Sequence, residues 1–446
     1  MLLVSDRSNK NTHPKALRLT SDFWMNRFFS AFSLFRNVRL LLFRPSTNIS
    51  TVDGFRAISM LLVVAFHSAA IFAMSNPGIT NLTDLVEESG WALGWVWNAD
   101  KGVDVFFVIS GYLITNILLR QLENEGRIRL GNFYIRRWMR LTPVYYALIG
   151  LYALAFANVP EGNVQNLWAN LLYINNFLPY KEQAMNWTWS LAIEEQFYLL
   201  YPLVLTLIVR YTRKPVVWLW ALFGLSFLVI FALLISDELL RTASGAAIVA
   251  NPEIHAYHFS VIYDNLYTRY GALIAGCLGA YYQYYHSEGV KAFFNRPLGK
   301  FVALLSLVVL LLLMAMPVLT KAFDDMQMIG LIYQAGARNL IAGAVVILIM
   351  CSSETGWVAT TVRHVMGNRF WYPFAQLSYS MYLWHVIVVV AASSMVGQAM
   401  LKYPEKYPYT TFEAIGIVFL ISTVGTVILA SLFYLFIERP IMNLRK

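Results

Sequence analysis

Apolar runs of about twenty residues recur along the chain, and they leave little freedom in what it folds into. A hydrocarbon core about 30 Å thick is crossed by about twenty helical residues. In lipid the backbone must satisfy its own polar groups, which a helix does within one segment. The stretches 301–319, 331–351 and 415–437 are the clearest. Composition agrees: of 446 residues, 58% are hydrophobic and 13% charged, with a mean hydropathy of +0.54. That charged fraction is about half the usual one for a soluble domain. The fold class read from this is all-α, a polytopic transmembrane helix bundle.

Ten spans are expected, at 54–75, 102–119, 141–158, 188–209, 215–236, 261–284, 301–319, 331–351, 373–396 and 411–437. The apolar segment 167–178 is too short to cross comfortably and reads as re-entrant or interfacial. Lys and Arg collect on the cytoplasmic face of such bundles, which explains a net charge of +9 without invoking nucleic acid. With the N-terminus inside, cytoplasmic segments hold about twenty-five of the Lys and Arg residues and outer loops about six. Arg120, Arg127, Arg129, Arg136, Arg137 and Arg140 then share one cytoplasmic loop, and Asp84, Glu87, Glu88, Asp237, Glu238, Asp324 and Asp325 lie outside. An even span count puts both termini in the cytoplasm. The localisation expected is a multi-pass protein of the bacterial inner membrane, in contact with membrane lipid.

Residues 1–50 read as a cytoplasmic tail in which 23–43, basic and aromatic, lies on the membrane surface. No short apolar core followed by a small-residue cleavage site marks a leader. Residues 51–440 form the membrane domain and 441–446 a short cytoplasmic tail. Cys277 and Cys351 lie in apolar runs and offer neither a disulfide framework nor a metal cluster. His255 and His258 share an outer loop with no evident third or fourth ligand, and a solvated loop accounts for them.

Ionisable groups inside spans are costly and usually functional. Arg56 and His67 lie in the first span, Asp104 opens the second, Glu194 and Glu195 the fourth, Arg269 lies in the sixth, Arg338 in the eighth, His385 in the ninth, and Glu438 ends the tenth. Eleven steps of about 100° bring Arg56 and His67 within about 20° of one helix face, about 16 Å apart along the axis. That face must look into the bundle. A hydrogen-bonded packing imidazole, a proton relay and a catalytic base all fit His67. The run Arg136-Arg137-Trp-Met-Arg140 reads first, on spacing alone, as a positive-inside anchor; an anion clamp is the second reading, since Arg137 and Arg140 share a face and guanidinium groups bind phosphates bidentately. Trp189, Glu195 and Tyr198 enter the fourth span from outside; Trp187 and Trp189 suit either stacking on a sugar ring or anchoring at the interface.

Five blocks occur together in order: Val52-Asp-Gly-Phe-Arg56 through His67, Gly102-Val-Asp-Val-Phe-Phe-Val-Ile-Ser-Gly-Tyr112, Arg136-Arg-Trp-Met-Arg-Leu-Thr-Pro143, Trp189-Ser-Leu-Ala-Ile-Glu194, and Leu377-Ser-Tyr-Ser-Met-Tyr-Leu-Trp-His385 with Ile437-Glu-Arg-Pro440 at the end. With them, 51–440 resembles the acyltransferase 3 family of integral-membrane acyltransferases. The resemblance implies transfer of an acyl group, commonly acetyl, to a hydroxyl of a carbohydrate or glycolipid such as O-antigen, exopolysaccharide or peptidoglycan. It implies that Arg56 and His67 are essential and that Arg137 and Arg140 form a donor-side motif. The donor expected is acetyl-CoA or another acyl-CoA, with no metal and no nucleic acid. Many relatives carry a further hydrolase-like domain; this chain resembles the stand-alone form, working alone or with separate polysaccharide-assembly partners.

On that footing His67 is the expected base, oriented by Asp104 or Glu194. Arg56 holds the donor or the developing oxyanion, and Arg136, Arg137 and Arg140 hold the CoA phosphates. Trp189, Glu195, Tyr198 and His385 are the expected acceptor contacts. Ser68, Ser110 and Ser190 are candidate acyl carriers, but no base adjoins them in sequence, and direct transfer ranks ahead. The rival readings are a transporter or flippase of a small anionic or glycolipid substrate, which would leave acetyl-CoA unconsumed, and a non-enzymatic assembly partner, which would tolerate changes at Arg56 and His67.

Overall fold

The computed structural model describes residues 29–45 and 49–444, and among them there is helix but no strand. Eleven helices of sixteen residues or more build the bundle: α1 (Ser50–Ser75), α2 (Leu82–Trp97), α3 (Gly102–Glu125), α4 (Leu130–Ala155), α5 (Trp189–Tyr211), α6 (Pro215–Ser236), α7 (Leu266–Tyr285), α8 (Pro297–Ala315), α9 (Gln327–Cys351), α10 (Trp371–Lys402) and α11 (Thr411–Phe433). Eight stretches, holding all of these but α4 and α7, are long and apolar enough to cross a membrane. The chain is a multi-pass membrane protein.

Ten of the eleven helices coincide with the ten expected runs. The two that fall short in apolarity do so for different reasons. Helix α4 carries Arg136, Arg137 and Arg140 in its first half. Helix α7 lies inside the bundle, buried from Thr268 almost without a break to Ala280, and protein rather than lipid surrounds it. It packs along α3, with α6 and α9 on its other sides. Small residues let two helices approach closely, and here the fit is reciprocal. A Cβ on Gly111 would stand 1.9 Å from the Leu273 carbonyl oxygen, and one on Gly276 would stand 2.0 Å from that of Val108. The other long seam joins α10 to α1 and α11.

The segment 167–178 is not a span. It holds a helix of five residues, Leu167–Leu171, followed by 3₁₀ turns. Asn170 there donates to the Tyr145 and Thr188 hydroxyls, at 3.2 and 3.0 Å. Of the expected surface segment, residues before 29 lie outside the described part. Leu34–Leu42 is a helix held to the bundle by its polar edge: Asn37 donates to the Leu435 carbonyl at 3.3 Å, and Asn443 donates to Asn37 at 2.9 Å. Its other side exposes Phe35, and Phe43 beyond its end is exposed as well.

Candidate active site

Four helix stripes line two adjoining cavities. On α1 the stripe is Arg56, Val63, His67, Ala70 and Met74. On α5 it is Ser190, Glu194 and Tyr198, four residues apart, and on α10 it is Ser378, Tyr382, Val386 and Val390, again four apart. Helix α3 contributes Val103, Phe106, Ser110 and Leu113. The first cavity, of about 90 Å³, contains Arg56, Arg137, Arg140 and Glu194 in its wall. The second, of about 520 Å³, contains His67, Asp100, Lys101, Trp187, Trp189, Tyr263 and Arg338. Val103 and Tyr382 belong to both walls.

The arginine cavity is a ring of cations around one hydrogen-bonded carboxylate. Arg56 donates through Nη2 to the Ser378 hydroxyl at 3.0 Å. The Arg137 guanidinium lies over the Tyr198 ring at 5.4 Å and the Phe133 ring at 5.7 Å. The Tyr198 hydroxyl donates to Ser110 at 3.0 Å, and Ser110 donates to Glu194 at 2.7 Å. Glu438 lies within electrostatic reach of Arg56 and Arg140 and accepts from Ser380 at 2.7 Å. Three cations aimed at one narrow space favour an anionic group there.

The histidine cavity has a different chemistry. The Nδ1 of His67 lies 2.9 Å from the Val63 carbonyl oxygen. A carbonyl only accepts, so Nδ1 carries the proton and Nε2 keeps its lone pair. The same holds for the buried His385, whose Nδ1 lies 2.6 Å from the Tyr382 carbonyl oxygen. The two imidazole rings meet edge to face, 4.8 Å apart. The wall opposite is a charged lattice. Arg338 forks onto two carboxylates, with Nη1 at 2.7 Å from Asp104 and Nη2 at 2.5 Å from Asp100. Arg269, 2% exposed, reaches Asp104 at 3.6 Å. Its guanidinium lies against both the Trp189 and Tyr263 rings, at 4.8 and 5.0 Å from their centroids, and those two rings meet each other edge to face at 5.1 Å. Lys101 completes the group, donating to Asn98 at 2.7 Å and pairing with Asp100 at 3.3 Å.

Several expected placements change. Asp104 faces Arg338 and Arg269, and no hydrogen bond joins it to His67 among the described residues. Glu194 sits in the arginine cavity, away from the imidazole, because five helix steps separate it by about 140° from Trp189, which lines the other cavity. Tyr198 goes with Glu194. Glu195 lines neither cavity, and nor does Arg136, which is exposed. Trp189 is 4% exposed, with one face occupied by Arg269. His385 contacts His67 directly. His255 and His258 are part of the histidine-cavity wall, because Pro252–His258 folds back over the bundle. No group of three metal-ligating side chains forms among the described residues. Asp100, Lys101, Ser378 and Tyr382 escaped the sequence reading. The signal for Asp100 was its position four residues before Asp104, on the same face.

The acyltransferase 3 family model, described as an acyltransferase domain, matches residues 49–435, and the chain belongs to that family. The fold and the family together define an integral-membrane acyltransferase domain. The chain is 34% identical over 198 residues to the peptidoglycan O-acetyltransferase OatA of Listeria monocytogenes, a match covering 40% of this chain and 28% of that protein. It is 24% identical over 413 residues to the O-acetyltransferase OatA of Staphylococcus aureus, covering 87% of this chain and 56% of the relative. These matches therefore span 28% of the Listeria protein and little more than half of the Staphylococcus one. No solved structure matches it.

Proposed function

We propose that this chain transfers an acyl group, acetyl by preference, from a cytoplasmic acyl-CoA to a carbohydrate hydroxyl, at the bacterial inner membrane. The observation that carries this is the adjacency of two cavities of opposite chemistry within one bundle of the acyltransferase 3 family. A cavity of about 90 Å³ is too small for a nucleotide but has the calibre of a thioester arm. The CoA phosphates then rest at its mouth, against Arg137 and Arg140, on the cytoplasmic side by the positive-inside rule. The larger cavity, of about 520 Å³, falls in the size range of ligand sites, and its aromatic and hydrogen-bonding wall suits a sugar.

In this mechanism the acceptor hydroxyl gives its proton to His67 Nε2 as its oxygen adds to the thioester carbonyl. Arg56, in the arginine cavity beside Ser378, helps hold the donor arm there. Collapse breaks the C–S bond, and the thiolate takes up the proton. Both OatA relatives are named as O-acetyltransferases, which supports acetyl as the group, and the Listeria protein's name points to peptidoglycan as an acceptor to try first. The decisive test compares surface glycans by mass spectrometry in cells with and without the protein. An acetyl-sized increment that follows the gene supports the proposal, while identical glycans and unconsumed labelled acetyl-CoA refute it and favour a transporter.

Arg137→Ala is expected to weaken acetyl-CoA binding by roughly 10- to 100-fold, the loss of about 1.5–3 kcal/mol for a hydrogen bond to a charged group, with acceptor affinity unchanged. Titration of the purified protein with acetyl-CoA reads this directly; an unaltered donor affinity contradicts the clamp. A second reading rests on the 2.7 Å hydrogen bond from Ser110 to Glu194. A hydroxyl with a carboxylate beside it is the arrangement of an activated nucleophile, so Ser110 can carry the acyl group in transit. Label from [14C]acetyl-CoA retained on acid-quenched protein and abolished by Ser110→Ala would establish that route. An unlabelled protein with active turnover leaves direct transfer.

A further inference from the structure

Tyr382 stands where the two cavities meet. On its own helix it is the shared member of a stripe four residues apart: Ser378 lies on the arginine side, Val386 and Val390 on the histidine side, and Tyr382 in both walls. Its side chain is 7% exposed and latched at both ends of its hydrogen-bonding capacity. Ser190, a residue of the arginine cavity, donates to its hydroxyl at 2.7 Å, and that hydroxyl donates at 2.6 Å to the carbonyl of Trp187, a residue of the histidine cavity. The opposite side of the junction is Val103, a β-branched residue on α3, stiff about χ1. The Tyr382 carbonyl holds His385 Nδ1 at 2.6 Å, and the two rings lie 5.2 Å apart. Movement of Tyr382 is therefore felt by the imidazole against which His67 packs.

We infer that Tyr382 is a positioning residue that partitions the thioester from the acceptor chamber and so decides whether the acyl group goes to an acceptor hydroxyl or to water. The inference rests on the proposed acyl-CoA donor. With the ring across the junction, a thioester arm in the arginine cavity is kept from the wet chamber that holds the His67 lone pair. When the arm and acceptor are both in place, a turn of the ring, at the cost of two hydrogen bonds, joins the chambers. Without the ring, water in the histidine cavity reaches the carbonyl. A C–O bond to water forms, the C–S bond breaks with its electron pair going to sulfur, the water proton passes through His67 to the thiolate, and the products are acetic acid, which then ionises, and free CoA.

The test uses the full chain in lipid nanodiscs with acetyl-CoA as the added substrate and no acceptor, following free thiol and acetate. Wild-type protein is expected to bind acetyl-CoA and release acetate slowly. Tyr382→Ala is expected to bind it similarly and to release acetate at least tenfold faster, and His67→Ala in that background is expected to return release to the wild-type rate. Tyr382→Ala that binds acetyl-CoA but releases acetate at the wild-type rate overturns the partition and leaves the donor assignment standing. Wild-type protein that binds no acetyl-CoA overturns both. If Tyr382→Ala alone loses donor binding, Tyr382→Phe decides: it keeps the ring and removes both latching bonds, and a rise of about threefold in acetate release supports the partition, while an unchanged rate overturns it.

Discussion

His67→Ala is expected to lower acyl transfer by about 10²- to 10⁴-fold, the contribution of a positioned general base, with acetyl-CoA still bound. The two halves of that expectation come from separate observations. The base is assigned by tautomer: the Val63 carbonyl fixes the proton on Nδ1 and leaves Nε2 as an acceptor facing the larger cavity. Donor binding is spared because Arg137 and Arg140, proposed to hold the donor phosphates, line the other cavity. The measurement pairs an acetyl-CoA titration with thiol release in membranes containing the native acceptor, and with the glycan mass in cells. Wild-type turnover in His67→Ala removes the base from the mechanism. Loss of donor binding together with turnover would instead mean that the imidazole maintains the packing between α1 and α10, where it meets His385 at 4.8 Å.

Much of this geometry is legible in the sequence, and the reason is periodicity. The positions of the long helices follow from apolar run length alone, and the shared face of Arg56 and His67 follows from 100° per residue, because both properties are local to one helix. What could not be read is pairing between helices. Asp104 opens its helix, and its partner Arg338 lies 234 residues later. No spacing rule connects them, and sequence proximity points instead to His67 as the group Asp104 would orient. Glu194 and Trp189 belong to one motif block yet face different cavities, which helical geometry would have separated at the outset. Asp100 and Lys101 fall just before the expected start of the second span, where a charge looks like part of a loop. His255 and His258 looked like loop residues for the same reason, since nothing in a short polar segment tells that it folds back onto a cavity. Tyr382 carries no charge to mark it, and only the meeting of two walls gives it meaning.

Asp104→Asn is expected to destabilise the bundle by about 3–5 kcal/mol, the cost of leaving a buried ion without its partner. Asp104 is 1% exposed and, among the described residues, is the carboxylate that pairs with both Arg338 and Arg269, at 2.7 and 3.6 Å. With its charge removed, Arg338 keeps Asp100 at 2.5 Å, but Arg269 loses its paired carboxylate and keeps the Trp189 and Tyr263 rings and the more distant charge of Asp100. A cation–π contact worth about 2 kcal/mol when desolvated does not replace a counter-ion. The loss should appear as a lower unfolding temperature in nanodiscs and a lower yield of folded protein. Asp104→Asn combined with Arg338→Gln, which removes one charge of each sign, should be more stable than the sum of the two single changes by at least about 1 kcal/mol. The same variant separates two roles for Asp104. As an electrostatic keystone between α3, α7 and α9, its loss costs stability while surviving folded molecules retain much of their turnover. As the group that orients His67, its conversion to Asn would leave the fold intact and cut turnover by about 10⁴-fold, as in a serine protease triad. The hydrogen bonds in the structure favour the first outcome, because Asp104 spends its contacts on arginines and His67 spends its Nδ1 proton on the backbone of its own helix.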